Sequence, residues 1–204
     1  MRGGEPSTLF RNPEEYLSFA DALAPAYQQY EVRLKVLIWG PGERANLKWW
    51  EKRAQLVWVL REAYPDDEIV TSEELFRELG DAPIETGRFE IHHAEKADLI
   101  LALVLGSPKR QGGVYRELEI IADRYELREK THIFLPRNSK TYVNRFQAGS
   151  LQLYRDSHKY LYSWSALNTC NKVTATSISI INEERKQRMY VRAESISRNR
   201  TNPR

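Results

Sequence analysis

An unbroken apolar run from Leu99 to Leu105 constrains the fold of this chain more than any other segment. A strand that is apolar at every position has both faces covered, which is typical of a parallel sheet between two layers of helices. A loop containing glycine and proline follows, and a helix with two glutamates begins at about residue 114. Parallel α/β sheets bind ligands in the crevice beyond the carboxyl ends of their strands. The run, its loop and its helix therefore place carboxylates where a ligand is expected.

The rest of the chain alternates strand-like and helix-like segments. Short runs of β-branched and aromatic residues predict strands, and longer runs with apolar residues at helical spacing predict helices. This alternation implies βαβ units, whose right-handed crossovers allow few topologies. We expect an α/β, flavodoxin-like fold of three layers, with a parallel sheet of about five strands in the order 2-1-3-4-5 and an extra N-terminal helix. The predicted strands are 32–39, 68–71, 99–105, 131–135 and 159–163. The predicted helices are 12–29, 46–63, one that begins at Ser72, 85–96, 114–129 and 171–192.

The length of the chain fits one domain with extensions. We divide its 204 residues into an N-terminal helical extension at 1–31, an α/β domain at 32–193 and a basic, flexible tail at 194–204. Basic residues outnumber acidic ones between Glu183 and Arg204, and short polar termini are usually poorly ordered. Such a basic end could bind the phosphates of a nucleic acid, but a solvated helix face explains the same charges.

The composition predicts a cytoplasmic protein. No run approaches the roughly 20 apolar residues of a membrane helix, and the first residues lack the apolar core of a secretory signal. Cys170 is the single cysteine, which excludes an internal disulfide and fits a reducing compartment. His92 and His93 have no cysteine or acidic partner at metal-ligand spacing, so no metal is expected.

Helix phasing separates the two glutamates that follow the apolar run. At about 100° per residue, the apolar side chains of the helix fall on one stripe that must face the sheet. The stripe consists of Val114, Leu118, Ile121, Ala122 and Tyr125. Glu117 lies at its edge and is expected to be partly desolvated with a shifted pKa. Glu119 lies on the solvent side, where an acid near a helix N-terminus has no special role.

A glycine loop ends the first strand. Gly40-Pro41-Gly42 would let a ligand approach the backbone closely, or it is only a turn. It matches neither the dinucleotide-binding fingerprint nor the P-loop. On the next helix, Trp49 lies off the predicted apolar stripe and is the better candidate for stacking on a base or a nicotinamide ring. That stripe consists of Leu47, Trp50, Ala54, Val57 and Trp58.

These segments together resemble the TIR-like and nucleoside deoxyribosyltransferase-like superfamily of bacterial proteins, many of which act in antiphage defence. The resemblance rests on Leu34–Gly42, Glu68–Glu74, Glu90–Ser107 and Arg116–Glu119. It covers roughly residues 32 to 136, and reaches 192 if the fifth strand and the last helix are included. No single motif is diagnostic, because the resemblance lies in the order of the elements and in the glutamate after the third strand.

The resemblance implies cleavage of an N-glycosidic bond in NAD or a nucleoside by a glutamate on the helix after the third strand. That position is Glu117 here. The loop before it is longer than usual by Lys109-Arg110-Gln111, which leaves Glu119 as an alternative by alignment, whereas helix phasing favours Glu117. NAD is implied as a substrate and not as a cofactor, and activation through oligomerisation or a partner protein is expected. The residues expected to contact the substrate are Gly40, Pro41, Gly42, Trp49, Ser72, Glu73, Ser107, Arg110 and Tyr115.

The implied chemistry suits a carboxylate, which can stabilise an oxocarbenium-like ribosyl group or trap it covalently. Nicotinamide in NAD is already cationic and leaves without a proton, whereas the base of a deoxynucleoside needs one. Asp81 and Asp98 are the candidates for a second acid, and Asp98 is expected to be structural. We therefore expect an NAD-cleaving defence effector. The alternatives are a nucleoside deoxyribosyltransferase or hydrolase, a non-catalytic signalling module of the same fold, and a nucleic-acid-binding protein that uses the basic tail.

Overall fold

Five parallel strands form the centre of the fold. The computed structural model describes residues 32–43, 47–79, 86–104, 112–136, 146, 149–154, 159–162 and 168–201. The strands are β1 (Lys35–Trp39), β2 (Glu68–Thr71), β3 (Leu99–Leu103), β4 (Thr131–Pro136) and β5 (Lys159–Tyr162). Their order in the sheet is β2-β1-β3-β4-β5, and every neighbouring pair is parallel. The predicted flavodoxin-like architecture is therefore confirmed, including the strand order.

Helices cover both faces of the sheet. They are α1 (Leu47–Ala63), α2 (Ser72–Leu79), α3 (Thr86–Lys96), α4 (Gly112–Ile121), α5 (Tyr125–Glu129) and α6 (Asn168–Thr201), with a 3₁₀ helix at Gly149–Tyr154. α1 and α6 pack together on one face, and α3 and α4 pack together on the other. β3 is buried at every position because it lies in the middle of the sheet, between these two layers. The predicted N-terminal helix, at 12–29, lies outside the described residues.

The helix predicted at 114–129 is in fact two helices. α4 ends at Ile121, and the chain turns before α5 begins at Tyr125. Val114, Leu118 and Ile121 are buried as the stripe predicts. Tyr125 is 63% exposed, because the turn takes it out of the phase of α4.

The buried face of α1 differs from the predicted stripe. Leu47 and Trp58 are more than half exposed, and Ala54 is also exposed. Of the predicted stripe, only Val57 is buried and Trp50 is partly buried, because large apolar side chains such as Leu47 and Trp58 lie at exposed positions of this helix. The side chains that α1 buries are Arg53, Leu56, Val57, Leu60 and Ala63.

α6 forms despite its β-branched residues. Val173, Ile178 and Ile181 are buried in the core cluster that contains α1, and this burial outweighs the preference of β-branched residues for strands. The helix continues beyond residue 193 to Thr201, through the segment predicted as a flexible tail. That extension contains neither glycine nor proline, the two residues least favourable to a helix interior. Among the described residues, no helix is long and apolar enough to cross a membrane.

Candidate active site

Glu117 lies where helix phasing places it. It is half-buried on α4, whereas Glu119 on the same helix is exposed. The Ser72 hydroxyl at the start of α2 donates a hydrogen bond of 3.0 Å to Glu117 Oε1. Ser72 directly follows the carboxyl end of β2, so the contact joins two helices at the carboxyl edge of the sheet. This is the edge at which sheets of this kind bind ligands, next to the point where the strand order reverses between β1 and β3.

The Glu117 carboxyl has a strongly shifted proton affinity. Its pKa is raised to about 8, mainly by desolvation on burial, and the negative charges of Glu73 and Glu90 act in the same direction. The hydrogen bond from Ser72 and the charge of Arg53 act in the opposite direction. At neutral pH the group is therefore mostly protonated in the empty site. A carboxyl held neutral near pH 7 can donate a proton, and it ionises when a positive charge approaches.

Ser72 is available to Glu117 because its neighbour caps α2. The hydrogen bonds show Thr71 as the N-cap of α2. The Thr71 hydroxyl accepts from the Glu74 backbone N–H at 3.4 Å, and Glu74 Oε2 accepts from the Thr71 backbone N–H at 2.9 Å. This is the reciprocal capping box, with the acid three residues after the cap. Because Thr71 is the cap, the Ser72 hydroxyl donates its hydrogen bond to Glu117 and not to the start of the helix.

Glu73 joins the site through a buried arginine. Arg53 Nη2 lies 2.8 Å from Glu73 Oε1, and the Arg53 side chain is only 4% exposed. Arg53 Nη1 also donates to the Gly40 carbonyl oxygen at 3.3 Å. A Cβ on Gly40 would lie 2.6 Å from Arg53 Cδ, and one on Gly42 would lie 3.3 Å from Glu73 Oε1. The space beside both glycines is thus taken by an ion pair of the protein itself, a role that the ligand-approach interpretation of the loop did not foresee. Pro41 between them is buried.

Glu90 is a third carboxylate within electrostatic reach of Glu117. It lies on α3 and is 6% exposed. Burial raises its pKa, against the lowering effects of its own backbone N–H and of Arg116. Its Oε2 atom is buried with no hydrogen-bond partner among the described residues. We refer to Glu73, Glu90 and Glu117, together with Arg53 and Ser72, as the carboxylate cluster.

The sequence named Asp81 and Asp98 as possible second acids. Asp98 accepts a hydrogen bond of 2.7 Å from the Lys35 backbone N–H and pairs with Arg188, so it is structural as expected. Asp81 lies outside the described residues. The carboxyl groups that influence Glu117 are instead those of Glu73 on α2 and Glu90 on α3.

Two predicted substrate contacts have packing roles. Trp49 packs against the core cluster on the α1 and α6 face, away from the face that carries α4, with Lys52 Nζ 4.9 Å from its ring centroid. Tyr115 is buried in the other core cluster, where its ring lies 6.1 Å from that of Phe146. Both aromatic rings are thus accounted for by packing. Ser107 and Arg110 lie outside the described residues.

Arg53 and Glu90 are the members of the cluster that the sequence interpretation missed. Both lie on the buried face of their helices, at helical spacing from core residues such as Leu60 and Ala94. A charged residue that interrupts an apolar stripe is the signal that could have found them. The signal was hidden for Arg53 because the stripe of α1 was assigned to the wrong face.

The cluster does not have the arrangement of a metal centre. Within the part of the chain that the structure describes, no group of three or more histidine, cysteine, aspartate or glutamate side chains could hold a metal ion. Its carboxyl groups can exchange protons, accept hydrogen bonds and stabilise positive charge.

No protein-family model matches this chain, and no curated protein matches it. Among solved structures, a conserved protein from Enterococcus faecalis V583 is similar, with a TM-score of 0.45 and 16% sequence identity over 77% of this chain and 99% of that chain.

Proposed function

We propose that this protein cleaves the N-glycosidic bond between ribose and nicotinamide in NAD or a related nucleotide, with Glu117 as the acting carboxylate. One observation carries the proposal: Glu117 is half-buried at the carboxyl edge of the sheet, hydrogen-bonded to Ser72 and within electrostatic reach of Glu73, Glu90 and Arg53. The resemblance in the order of the elements supports the same residue. A role as a defence effector that is activated by assembly or by a partner belongs to this proposal.

The charges of the cluster favour a cationic ligand. Three carboxyl groups are opposed by one buried cation, Arg53. The nicotinamide ring of NAD carries a positive charge, and so does the ribosyl group as the bond breaks. As such a charge approaches, the pKa of Glu117 falls and the carboxyl releases its proton to solvent. Glu117 then faces the anomeric carbon as a carboxylate at the moment when positive charge develops there.

The bond changes follow from this arrangement. The bond between the anomeric carbon and the ring nitrogen breaks, and its electron pair neutralises the nicotinamide, which leaves without a proton. The Glu117 carboxylate stabilises the oxocarbenium-like ribosyl group or bonds to it. Water or another acceptor then attacks the same carbon and gives its proton to the Glu117 carboxylate or to solvent, which completes hydrolysis or transfer.

The test is nicotinamide release from NAD by the purified protein. We expect release by the wild type and a loss of at least about 100-fold in Glu117→Gln, the scale of losing one group that stabilises charge in the transition state. Glu119→Gln is the matched control, since it changes an exposed acid of the same helix. Equal release from wild type and Glu117→Gln, or no release under any activating condition, would reject the proposal.

A nucleoside deoxyribosyltransferase or hydrolase is the second candidate. The observation that favours it is the pKa of about 8 at Glu117, with further carboxyl groups nearby. Such a group can protonate a neutral base as it leaves, which a lone ionised carboxylate cannot do. Base exchange between two nucleosides, with NAD left unchanged, would select this function over NAD cleavage.

A further inference from the structure

Arg53 connects the two helical layers across the end of a strand. It lies on α1, which covers one face of the sheet, and its partner Glu73 lies on α2, after the neighbouring strand β2. The guanidinium passes the end of β1, where it donates to the Gly40 carbonyl oxygen. A long cationic side chain is thus buried at the carboxyl edge of the sheet, directly beside the proposed site.

Gly40 makes this path available. Any larger residue would place a Cβ 2.6 Å from Arg53 Cδ, closer than two carbon atoms can approach. The arginine cannot swing aside to relieve that contact, because its guanidinium is held at one end by Gly40 and at the other by Glu73. Gly42 similarly leaves room for Glu73 Oε1. The loop and the ion pair are therefore parts of one arrangement.

The ion pair engages one carboxylate oxygen of Glu73 and leaves the other without a hydrogen bond from the described residues. Oε1 is bound to Arg53, and Oε2 is buried without a hydrogen-bond partner among the described residues. A planar guanidinium fixes the direction of the carboxylate that it binds better than an ammonium group does. The committed oxygen thus determines where the available one points.

We propose that Arg53 is a positioning residue of the site: threaded past Gly40, its guanidinium holds the Glu73 carboxylate beside Ser72 and Glu117, so that a substrate meets a fixed pair of carboxyl groups. The inference rests on the proposed function only for the identity of the reaction. The strut formed by Gly40, Arg53 and Glu73 is a property of the fold and can be tested without a substrate.

A second ion pair between the same two helices provides a matched control. Arg61 on α1 pairs with Glu74 on α2 at 2.9 Å, with both side chains about one-third exposed or more. If Arg53 merely ties α1 to α2, then Arg61→Met and Arg53→Met should have the same consequences. If Arg53 positions the site, only its replacement should alter the behaviour of Glu117.

The substrate-free test follows the titration of the Glu117 carboxyl carbon by NMR in the full chain. We expect Arg53→Met to raise the midpoint by at least about 0.5 pH unit, since a nearby positive charge is lost. Arg53→Lys should restore part of that shift, and Arg61→Met should leave the midpoint at its wild-type value. If Arg53→Met folds poorly, Arg53→Gln takes its place. It is also neutral, and we expect it to raise the midpoint of Glu117 as well. An unchanged midpoint in both neutral variants, or an equal shift in Arg61→Met, would overturn the proposal.

A double-mutant cycle tests the role of Gly40. Gly40→Ala should move the Glu117 midpoint in the same direction as Arg53→Met, because the new Cβ displaces the arginine stem. In an Arg53→Ala background, which lacks Cδ, Gly40→Ala should add less than about 0.2 unit, since coupled residues act non-additively. Additive shifts would contradict the strut.

The kinetic readout uses NAD as the probe. We expect Arg53→Met to lower kcat at least about tenfold and to shift the pH profile of kcat upward, whereas Arg61→Met leaves both unchanged. If the wild type does not act on NAD, the proposed function fails, and the NMR result still decides whether Arg53 positions the cluster.

Discussion

The ionisation of Glu117 is set by its surroundings and not by its type. Its carboxyl is desolvated on α4, faces the charges of Glu73 and Glu90, and has one hydrogen-bond donor, Ser72, among its stated influences. Glu119, on the same helix, is exposed to solvent. Two glutamates that are equivalent in composition therefore differ in chemistry because α4 turns them toward different environments.

This difference predicts a pH dependence of stability. The pKa of Glu117 is raised from its ordinary value of 4.5 to about 8 in the folded chain. The folded state thus holds a proton that the unfolded state releases between those values, and stability falls as the pH rises through that window. Glu117→Gln removes the ionisable group. We expect the variant to be more stable than wild type at pH 9, by a difference of order 2 kcal/mol, as measured by urea unfolding across the pH range.

The control for this experiment is Glu119→Gln. It removes one carboxylate from the same helix at an exposed position. We expect it to keep the wild-type decline of stability between pH 5 and pH 8, a window of about three units. A decline in Glu117→Gln as steep as in the wild type would show that another group carries it.

The start of α2 shows how one element serves both the fold and the site. Thr71 and Glu74 form the capping box, which leaves Ser72 to bond Glu117 and Glu73 to bond Arg53. Within this one turn, the outer two residues therefore cap the helix and the inner two belong to the carboxylate cluster. A register one residue later would bring the Ser72 hydroxyl to the cap and remove it from Glu117.

Replacing the Thr71 cap should therefore lower the stability of the fold. We expect Thr71→Ala to lower the free energy of unfolding by about 1 kcal/mol, the usual effect of losing an N-cap hydroxyl. Thr71→Ser keeps the hydroxyl and should retain most of that stability. Thermal and urea unfolding measure both. Equal stability of Thr71→Ala and wild type would mean that the reciprocal hydrogen bonds contribute nothing.

At the scale of the whole molecule, α6 is joined to the amino edge of the sheet by two arginines. Arg185 pairs with Asp67, and Arg188 pairs with Asp98. Each aspartate also accepts a backbone N–H at the start of β1, Asp67 from Leu34 at 3.0 Å and Asp98 from Lys35 at 2.7 Å. The last helix thus stabilises the edge opposite to the proposed site, although it is far from β1 in the sequence.

The two arginines should contribute unequally. Asp67 has a side chain only 1% exposed, and desolvation raises its pKa against the opposing effect of Arg185. Arg185→Met would leave that acid buried beside an apolar chain, so we expect a loss of about 3 kcal/mol. Arg188→Met removes a more exposed partner and should lose less than about 1 kcal/mol. The cost of Arg185→Met comes from the unpaired charge of the buried Asp67 carboxylate. Protonation removes that charge, so the loss should shrink as the pH falls below the pKa of Asp67.

The double variant Asp67→Asn with Arg185→Met completes this test in urea unfolding. It removes the buried charge and its partner together, and we expect it to recover part of the stability lost in Arg185→Met. Equal losses for the two arginine variants, or no recovery in the double variant, would contradict the assignment of a buried ion pair.

Much of the architecture followed from local patterns. The apolar run that becomes β3 predicted a strand covered on both faces, and strand and helix alternation predicted the strand order. Phasing from Val114 distinguished Glu117 from Glu119, because the apolar residues of α4 are regularly spaced and truly buried. The same method failed on α1, where exposed Leu47 and Trp58 carry the same apolar signal as core residues.

The sequence by itself determined the layers of the fold and the glutamate at the carboxyl edge, since burial patterns repeat every two residues in a strand and every 3.6 in a helix. Only the tertiary structure decided which side chains lie near that glutamate. Arg53, Ser72 and Glu90 come from three different helices, and their meeting depends on how those helices dock on the sheet. Proton affinity depends on distance and desolvation between such groups, and neither quantity is encoded in the spacing of any one segment.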